Sequence, residues 1–213
     1  MNEQKNLEAL LKELEGHERV HRLFLHSCCA PCSSYVLEYL TPYFEITSFF
    51  YNPNITQKEE FEKRSAELQR LIREMPKEHE ISFMEGDFVP ASFFERTRGL
   101  EKCPEGGERC FKCYEMRLYE TARLASEKGY DYFATTLTIS PLKKADKINE
   151  IGRRLEKDLG VKWLPSDFKK KNGYLRSIQL SKKYGLYRQN FCGCVFSKAE
   201  ADQRDAETGS KQL

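Results

Sequence analysis

His26-Ser27-Cys28-Cys29-Ala30-Pro31-Cys32-Ser33 joins an apolar run, Val20 to Leu25, to the segment Ser34-Tyr35-Val36-Leu37-Glu38-Tyr39-Leu40. The run before it, broken by His21 and Arg22, reads as a short buried strand. The segment after it carries apolar side chains at helical spacing. Three cysteines therefore fall at a strand-to-helix turn, at the carboxyl end of a strand expected in a parallel sheet. Open α/β sheets place ligands at that end, where helix N-termini offer free N–H groups and positive potential. Thiolates there are stabilised as anions, which suits them to hold a metal or to react. This turn is the candidate active site.

Outward from the turn, strands and helices alternate. Leu7, Leu10, Leu11 and Leu14 fall at i, i+3, i+4 and i+7, predicting an amphipathic N-terminal helix over 4–15. Phe44 to Tyr51 reads as a second strand ending in the polar turn Asn52-Pro53-Asn54-Ile55. Thr56-x-x-Glu59 has the form of a capping box opening a helix with Phe61, Leu68, Leu71, Ile72 and Met75 on its apolar face. Glu80 to Met84 reads as a third strand. Phe88 to Gly107, with Pro90, Pro104 and Gly106-Gly107, reads as irregular. Cys110 to Lys128 is a long helical pattern closed by Gly129. Tyr130 to Leu137 reads as a strand, Ala145 to Leu159 as a helix and Val161 to Leu164 as a short strand. After a basic loop at 167–173 comes a helix to about Lys183. The expectation is one α/β catalytic domain over 1–197, a three-layer sandwich on a mostly parallel sheet of Rossmann-like, ATP-pyrophosphatase-like (HUP-type) topology. The polar stretch 198–213 lacks apolar periodicity and is expected to be a disordered tail. Polar turns at 26–33, 51–55 and 135–141 should then share one sheet edge.

The 213 residues suffice for one domain with a proper core. No run approaches the roughly 20 apolar residues of a membrane helix, and the charged N-terminus has no signal-peptide core, so a cytoplasmic protein is expected. The net charge of +2 hides an asymmetry: residues 1–100 carry 12 basic against 17 acidic side chains, and the remainder 23 against 16. Much of the excess lies in 141–198, the footprint of a polyanion partner or of solvated helix faces.

In a reducing compartment eight cysteines point to metal binding or redox chemistry rather than a disulfide framework. They group as Cys28-Cys29-x-x-Cys32, Cys110-x-x-Cys113 and Cys192-Gly193-Cys194, with Cys103 apart. Cys28, Cys29, Cys110 and Cys113 can supply four thiolates to one centre. Iron–sulfur clusters and structural zinc both accept such a set, and adjacent cysteines fit a cluster better than a zinc knuckle. Cys192 and Cys194 can form a strained, easily reduced disulfide or be further metal ligands. Cys32 should face the same cleft, for a second metal or as a small buried hydrophobe. The four histidines do not group as ligands; His26 reads as a packing residue beside the turn. No Walker A motif, Rossmann glycine fingerprint or Gly-x-Ser-x-Gly elbow is present. The first loop has cysteines where ATP pyrophosphatases carry a glycine-rich phosphate loop, which disfavours ATP chemistry.

Cys28-Cys29-Ala30-Pro31-Cys32-Ser33, Tyr51-Asn52-Pro53-Asn54-Ile55, Cys110-x-x-Cys113, Thr135-Thr136-Leu137 with Ser140-Pro141, Asp167-Phe168-Lys169-Lys170, and Tyr187-Arg188-Gln189 with Cys192-Gly193-Cys194 together resemble the QueH family of epoxyqueuosine reductases. The resemblance runs in order from about 22 to 197. It implies an oxidoreductase of the last step of queuosine synthesis on tRNA, removing the epoxide oxygen of epoxyqueuosine without cobalamin. Carried over by position, Cys28, Cys29, Cys110 and Cys113 would hold a [4Fe-4S] cluster, and Cys192 with Cys194 would form a redox-active disulfide. An additional iron accompanies the cluster in the family, and Cys32 is placed near it. The implied partners are tRNA and an unidentified electron donor. Tyr51 and Tyr187 are candidates to stack on bases, and Asn52, Arg188, Lys169 and Lys170 to contact substrate. Two rival readings are a zinc-stabilised RNA-binding module and a thiol oxidoreductase acting through Cys192 and Cys194.

Overall fold

In a computed structural model, residues 2–16 and 19–209 are described; His17 lies outside them. Alternation along β1 (His21–His26) sets the layers. Leu23 and Leu25 face a core shared with α1 (Glu3–Leu14), α2 (Ala30–Leu40) and α3 (Lys58–Glu74). Phe24 faces the opposite core, with Tyr114, Leu118 and Ala122 of α5 (Glu108–Glu127) and Ile148, Ile151 and Leu155 of α6 (Ala145–Leu159). A period of two thus turns His26 toward α5, on the side of Phe24.

The strands β2 (Phe44–Phe50), β3 (Ile81–Glu85), β4 (Tyr132–Thr135) and β5 (Lys162–Trp163) complete a five-stranded sheet, order β3-β2-β1-β4-β5. Every pairing is parallel, with Leu23 beside both Ile46 and Tyr132. The three-layer, Rossmann-like expectation holds. The chain winds outward from β1 to β3, then returns to place β4 on the other side of β1. The loops after β1 and β4 therefore diverge and leave a crevice at the carboxyl edge. Among the described residues no helix is long and apolar enough to cross a membrane.

Several local expectations differ from the structure. The N-cap of α3 is Gln57 rather than Thr56, with no side-chain capping bond; the Thr56 N–H instead donates to the Gly193 carbonyl, 3.4 Å away. The strand expected over 130–137 is only β4, and Thr136–Ile139 forms a 3-10 turn. The stretch expected to be irregular contains α4 (Pro90–Arg96), whose proline sits in the first turn, where its missing N–H has no intrahelical partner to lose. After α7 (Gly173–Lys183), the tail expected to be disordered forms α8 (Val195–Gly209). Buried Ala201 and an ion pair from Glu200 to Arg109 (3.3 Å) dock α8, and residues 210–213 lie outside the described chain.

Gly152 of α6 lies against Trp163, where a Cβ would meet indole Cδ2 at 2.2 Å. The indole is fixed by its Nε1 donating to Asn149 Oδ1 at 3.0 Å. Gly152→Ala is expected to destabilise the protein by about 1–3 kcal/mol, read as a lower denaturant midpoint. An unshifted midpoint would mean that the indole yields without cost.

Candidate active site

The β1 turn brings three sulfurs together: Sγ atoms of Cys28, Cys29 and Cys32 all lie within 4.8 Å of one another. Cys29 caps the N-terminus of α2 in an extended conformation, and Cys32 follows in the first turn. The Cys28 N–H donates to Thr136 Oγ1 (3.2 Å), tying this turn to the one after β4. Cys28 is held well below the usual thiol range. Hydrogen bonds from Cys29 and Cys32 are the main cause, and the charges of Arg117 and Lys143 add to them. Cys29 is correspondingly raised to about 11 by its bond to Cys28, and Cys32 is raised as well.

The second pair sits where the chain enters α8. Sγ atoms of Cys192 and Cys194 are 3.9 Å apart, as free thiols. Gly193 between them has φ +114, a conformation that L side chains rarely adopt, and a Cβ there would approach Ile55 Cγ1 to 2.7 Å. Buried Ser197 organises the pair: its Oγ lies 3.3 Å from Cys192 Sγ and 3.4 Å from Cys194 Sγ, while its N–H donates to Cys194 Sγ at 3.3 Å. The Cys192 carbonyl accepts from Asn54 Nδ2 and Arg64 Nη1, both at 3.1 Å. The hydrogen bond from Cys194 is the main cause that holds Cys192 well below the thiol range, and Cys194 is raised.

Buried Arg117 connects the groups. It donates to His26 Nε2 (3.2 Å), to Asn52 Oδ1 and to Cys113 Sγ (3.9 Å), and no carboxylate pairs with it among the described residues. His26 Nε2 lies between Arg117 Nε and the Tyr51 carbonyl oxygen (3.1 Å), and Nδ1 lies 2.7 Å from Thr135 Oγ1. Burial first, and then the charge of Arg117, push His26 down to about 3 and keep it neutral. Burial opposes the charge of Arg117 itself, but Cys113, Cys28 and Cys192 outweigh it and raise its pKa. Lys143 is likewise opposed by burial and raised by Cys192, Cys28 and Cys32.

A cavity of about 310 Å³ is lined by Cys28, Cys29, Cys32, Cys192, Arg117 and Lys143. A smaller one, about 20 Å³, is lined by Cys110, Cys113, Cys192 and Cys194, and shares Arg117, Lys143 and Glu105 with the first. Arg188 lines the larger cavity, with Nη1 donating to Ser181 Oγ (3.0 Å). Asn52 is buried, its amide bonded to the Ser27 carbonyl and Arg117. Tyr51 stacks on Phe49 (centroids 5.7 Å apart), and Tyr187 donates to Glu60 (3.2 Å) under Lys63 Nζ; neither lines the cysteine cavities. Lys169 and Lys170 line a separate basic hollow that shares Lys143 with the cysteine cavity. Cys103 lines neither cysteine cavity.

Sequence reasoning gave no site role to Arg117, Lys143 and Glu105, and singled out Asn54 only as part of the polar turn after β2. Arg117 had a signal, standing four residues after Cys113 on one helix face. Glu105, in its breaker-rich loop, had none.

These residues fit a thiophilic metal centre. Soft thiolates select zinc or iron–sulfur groups, and a buried guanidinium without a carboxylate needs anionic charge beside it. Asn54 adds an orphan acceptor: its Oδ1 is buried without a partner among the described residues, and the residue lines the smaller cavity among the sulfurs.

The family model "Epoxyqueuosine reductase QueH" matches residues 23–200. An epoxyqueuosine reductase QueH of Streptococcus pyogenes is 43% identical over 199 residues, covering 92% of this chain and 78% of that protein. One of Staphylococcus aureus is 41% identical, covering 92% and 85%, and one of Thermotoga maritima 33% identical, covering 89% and 97%. With the cysteine motifs gathered at one sheet edge and the match spanning nearly the whole fold, the chain belongs to the QueH family of epoxyqueuosine reductases.

Proposed function

We propose that this protein reduces epoxyqueuosine in tRNA to queuosine, using a [4Fe-4S] cluster held by Cys28, Cys29, Cys110 and Cys113 and the dithiol of Cys192 and Cys194. Cys32 stands beside the cluster for a further iron. One observation carries this reading: cysteines about 160 residues apart in sequence share the wall of one cavity. Converting an epoxide to an alkene consumes two electrons and two protons and releases water. Oxidation of Cys192 and Cys194 to a disulfide supplies both electrons and both protons, so the reaction balances, and an external donor then restores the thiols. When bound, the iron centre supplies one-electron transfer and a Lewis acid for oxygen.

The chain's own groups set the environment of the reaction. Arg117 and Lys143 place fixed positive charge where the departing oxygen gains electron density. Among the described residues Glu105 is the one carboxyl group in the lining of either cavity. Burial, then the charge of Cys192, raises its pKa, so it holds a proton more readily than an exposed glutamate. Ser197 keeps the two thiols side by side. The decisive experiment is purification without oxygen followed by assay on tRNA carrying epoxyqueuosine. A brown protein with iron and sulfide in cluster ratio that forms queuosine supports the reading; a colourless zinc protein without activity overturns it.

The hollow beside the cavity, lined by seven lysines and five carboxylates, offers lysines to tRNA phosphates. Lys169 pairs with Asp167 and Lys171 with Glu8, leaving exposed Lys170 with its full charge toward a ligand. Neutralising Lys169, Lys170 and Lys171 is expected to weaken tRNA binding and to flatten its salt dependence by about 0.7–0.9 in log–log slope for each phosphate no longer neutralised. Cluster content should stay constant. An unchanged slope would assign the three lysines to an ordinary solvated loop.

A further inference from the structure

Cys194 stands immediately before α8, at the N-cap position, and its carbonyl accepts the first intrahelical bond, from the Lys198 N–H at 3.0 Å. Its sulfur accepts from the N–H of Ser197, the third helical residue, at 3.3 Å. The Ser197 side chain reaches back and accepts from the Cys192 N–H at 3.2 Å. A capping box has this reciprocal form; here a thiol takes the place of the usual Ser or Thr, and the return bond runs to the residue two before the cap. The dithiol is thereby built into the start of a helix, where free N–H groups favour negative charge on sulfur.

The Ser197 hydroxyl does more than hold this loop. It has one hydrogen to donate, and two acceptors lie within its reach: Cys192 Sγ at 3.3 Å and the Cys194 carbonyl oxygen at 3.2 Å. The carbonyl is the same acceptor whether the pair is reduced or oxidised. The sulfur is not: a thiolate accepts a strong, charge-assisted bond, and a sulfur in a disulfide has no charge to offer. Cys192 lies well below the usual thiol range, chiefly through the hydrogen bond from Cys194, with Lys143 and Ser197 adding to it. Bonds of equal strength in both redox states cancel from the redox equilibrium, but one made to sulfur in the reduced state alone does not.

Resting on the proposed redox role of the dithiol, we infer that Ser197 is a positioning residue that sets the reduction potential of the Cys192–Cys194 pair, its hydroxyl favouring the dithiol over the disulfide by donating to Cys192 Sγ. On oxidation the hydroxyl turns to the Cys194 carbonyl and the stabilisation of sulfur is lost. A donor of modest reducing power then suffices to restore the thiols, and the enzyme stands reduced before its tRNA arrives.

The test is a redox titration of intact, iron-loaded protein without oxygen, in mixtures of reduced and oxidised glutathione. Closing the pair joins Cys192 Sγ to Cys194 Sγ and passes two electrons and two protons to one glutathione disulfide, which becomes two glutathione thiols. The fraction joined is read by differential alkylation and mass spectrometry of the peptide carrying both cysteines, apart from the iron ligands. Ser197→Ala is expected to shift the equilibrium constant about tenfold toward the disulfide, the effect of losing one hydrogen bond to a charged group, which is a midpoint about 30 mV lower. Ser197→Thr keeps the hydroxyl and should stay within about twofold of wild type. An unchanged constant in Ser197→Ala, an equal shift in Ser197→Thr, or a fall in iron content would each overturn the inference. A purely structural role predicts the first of these, because the bond that Ser197 accepts from the Cys192 N–H serves both redox states and moves the melting temperature rather than the potential. Failure of the underlying reading shows separately: a wild-type pair that stays reduced in every mixture forms no disulfide, and the inference falls with it.

Discussion

Cys28→Ala is expected to empty the metal centre and to abolish epoxyqueuosine reduction. Hydrogen bonds from Cys29 and Cys32 hold the Cys28 thiol below the usual range, and its loss breaks up the group of three sulfurs that lie within 4.8 Å of one another. The neighbouring cations Arg117 and Lys143 then face a site with less anionic charge than their burial requires. Outer-shell changes at metal sites already cost roughly 10–100-fold in affinity or activity, and loss of a ligand should exceed that. Iron and sulfide per chain should fall toward zero, and queuosine formation should drop more than about 100-fold. Cys29→Ala, Cys110→Ala and Cys113→Ala should behave alike. Cys103→Ala, outside both cavities, should retain iron and activity. If iron and sulfide survived all four ligand changes, the cluster assignment would be wrong.

The second large effect is expected at the dithiol. Replacing both Cys192 and Cys194 by serine should keep the iron yet eliminate multiple turnover. Serine is nearly isosteric and can keep hydrogen bonds to Ser197, so the loop geometry around Gly193 survives while disulfide formation does not. The measurement pairs iron content with queuosine formed per enzyme under chemical reductant. Normal turnover would remove the redox role, and lost iron would move both residues into the metal site.

Much of the fold was legible in the sequence because strong local signals agreed with the tertiary outcome. α6 runs from Ala145 to Leu159, as its apolar register predicts. The β1 and β2 runs and the polar turns after them are where pattern and turn chemistry place them. What was not legible came from long-range packing. The tail forms α8 because Ala201 and Glu200 find partners on other elements, which composition alone does not encode. The Thr56 box fails because the Gly193 carbonyl competes for its N–H. At the site, the grouping of cysteines was visible, but the charges around them were not. The i, i+4 spacing from Cys113 puts Arg117 on the cysteine face of its helix, but its partner His26 is seen only once α5 lies against β1.

The order of the strands also bears on how the centre is assembled in time. β1 lies between β2, its near neighbour in the chain, and β4, which follows it by more than a hundred residues. Closing that second pairing carries the larger loop entropy and belongs to the slower phase of folding. Cys28, Cys29 and Cys32 leave the ribosome early, Cys110 and Cys113 midway, and Cys192 and Cys194 near the end of synthesis, just ahead of α8. A domain generally folds as a unit. The cysteine groups that share the larger cavity therefore come together only once the segment bearing Cys192 has been made.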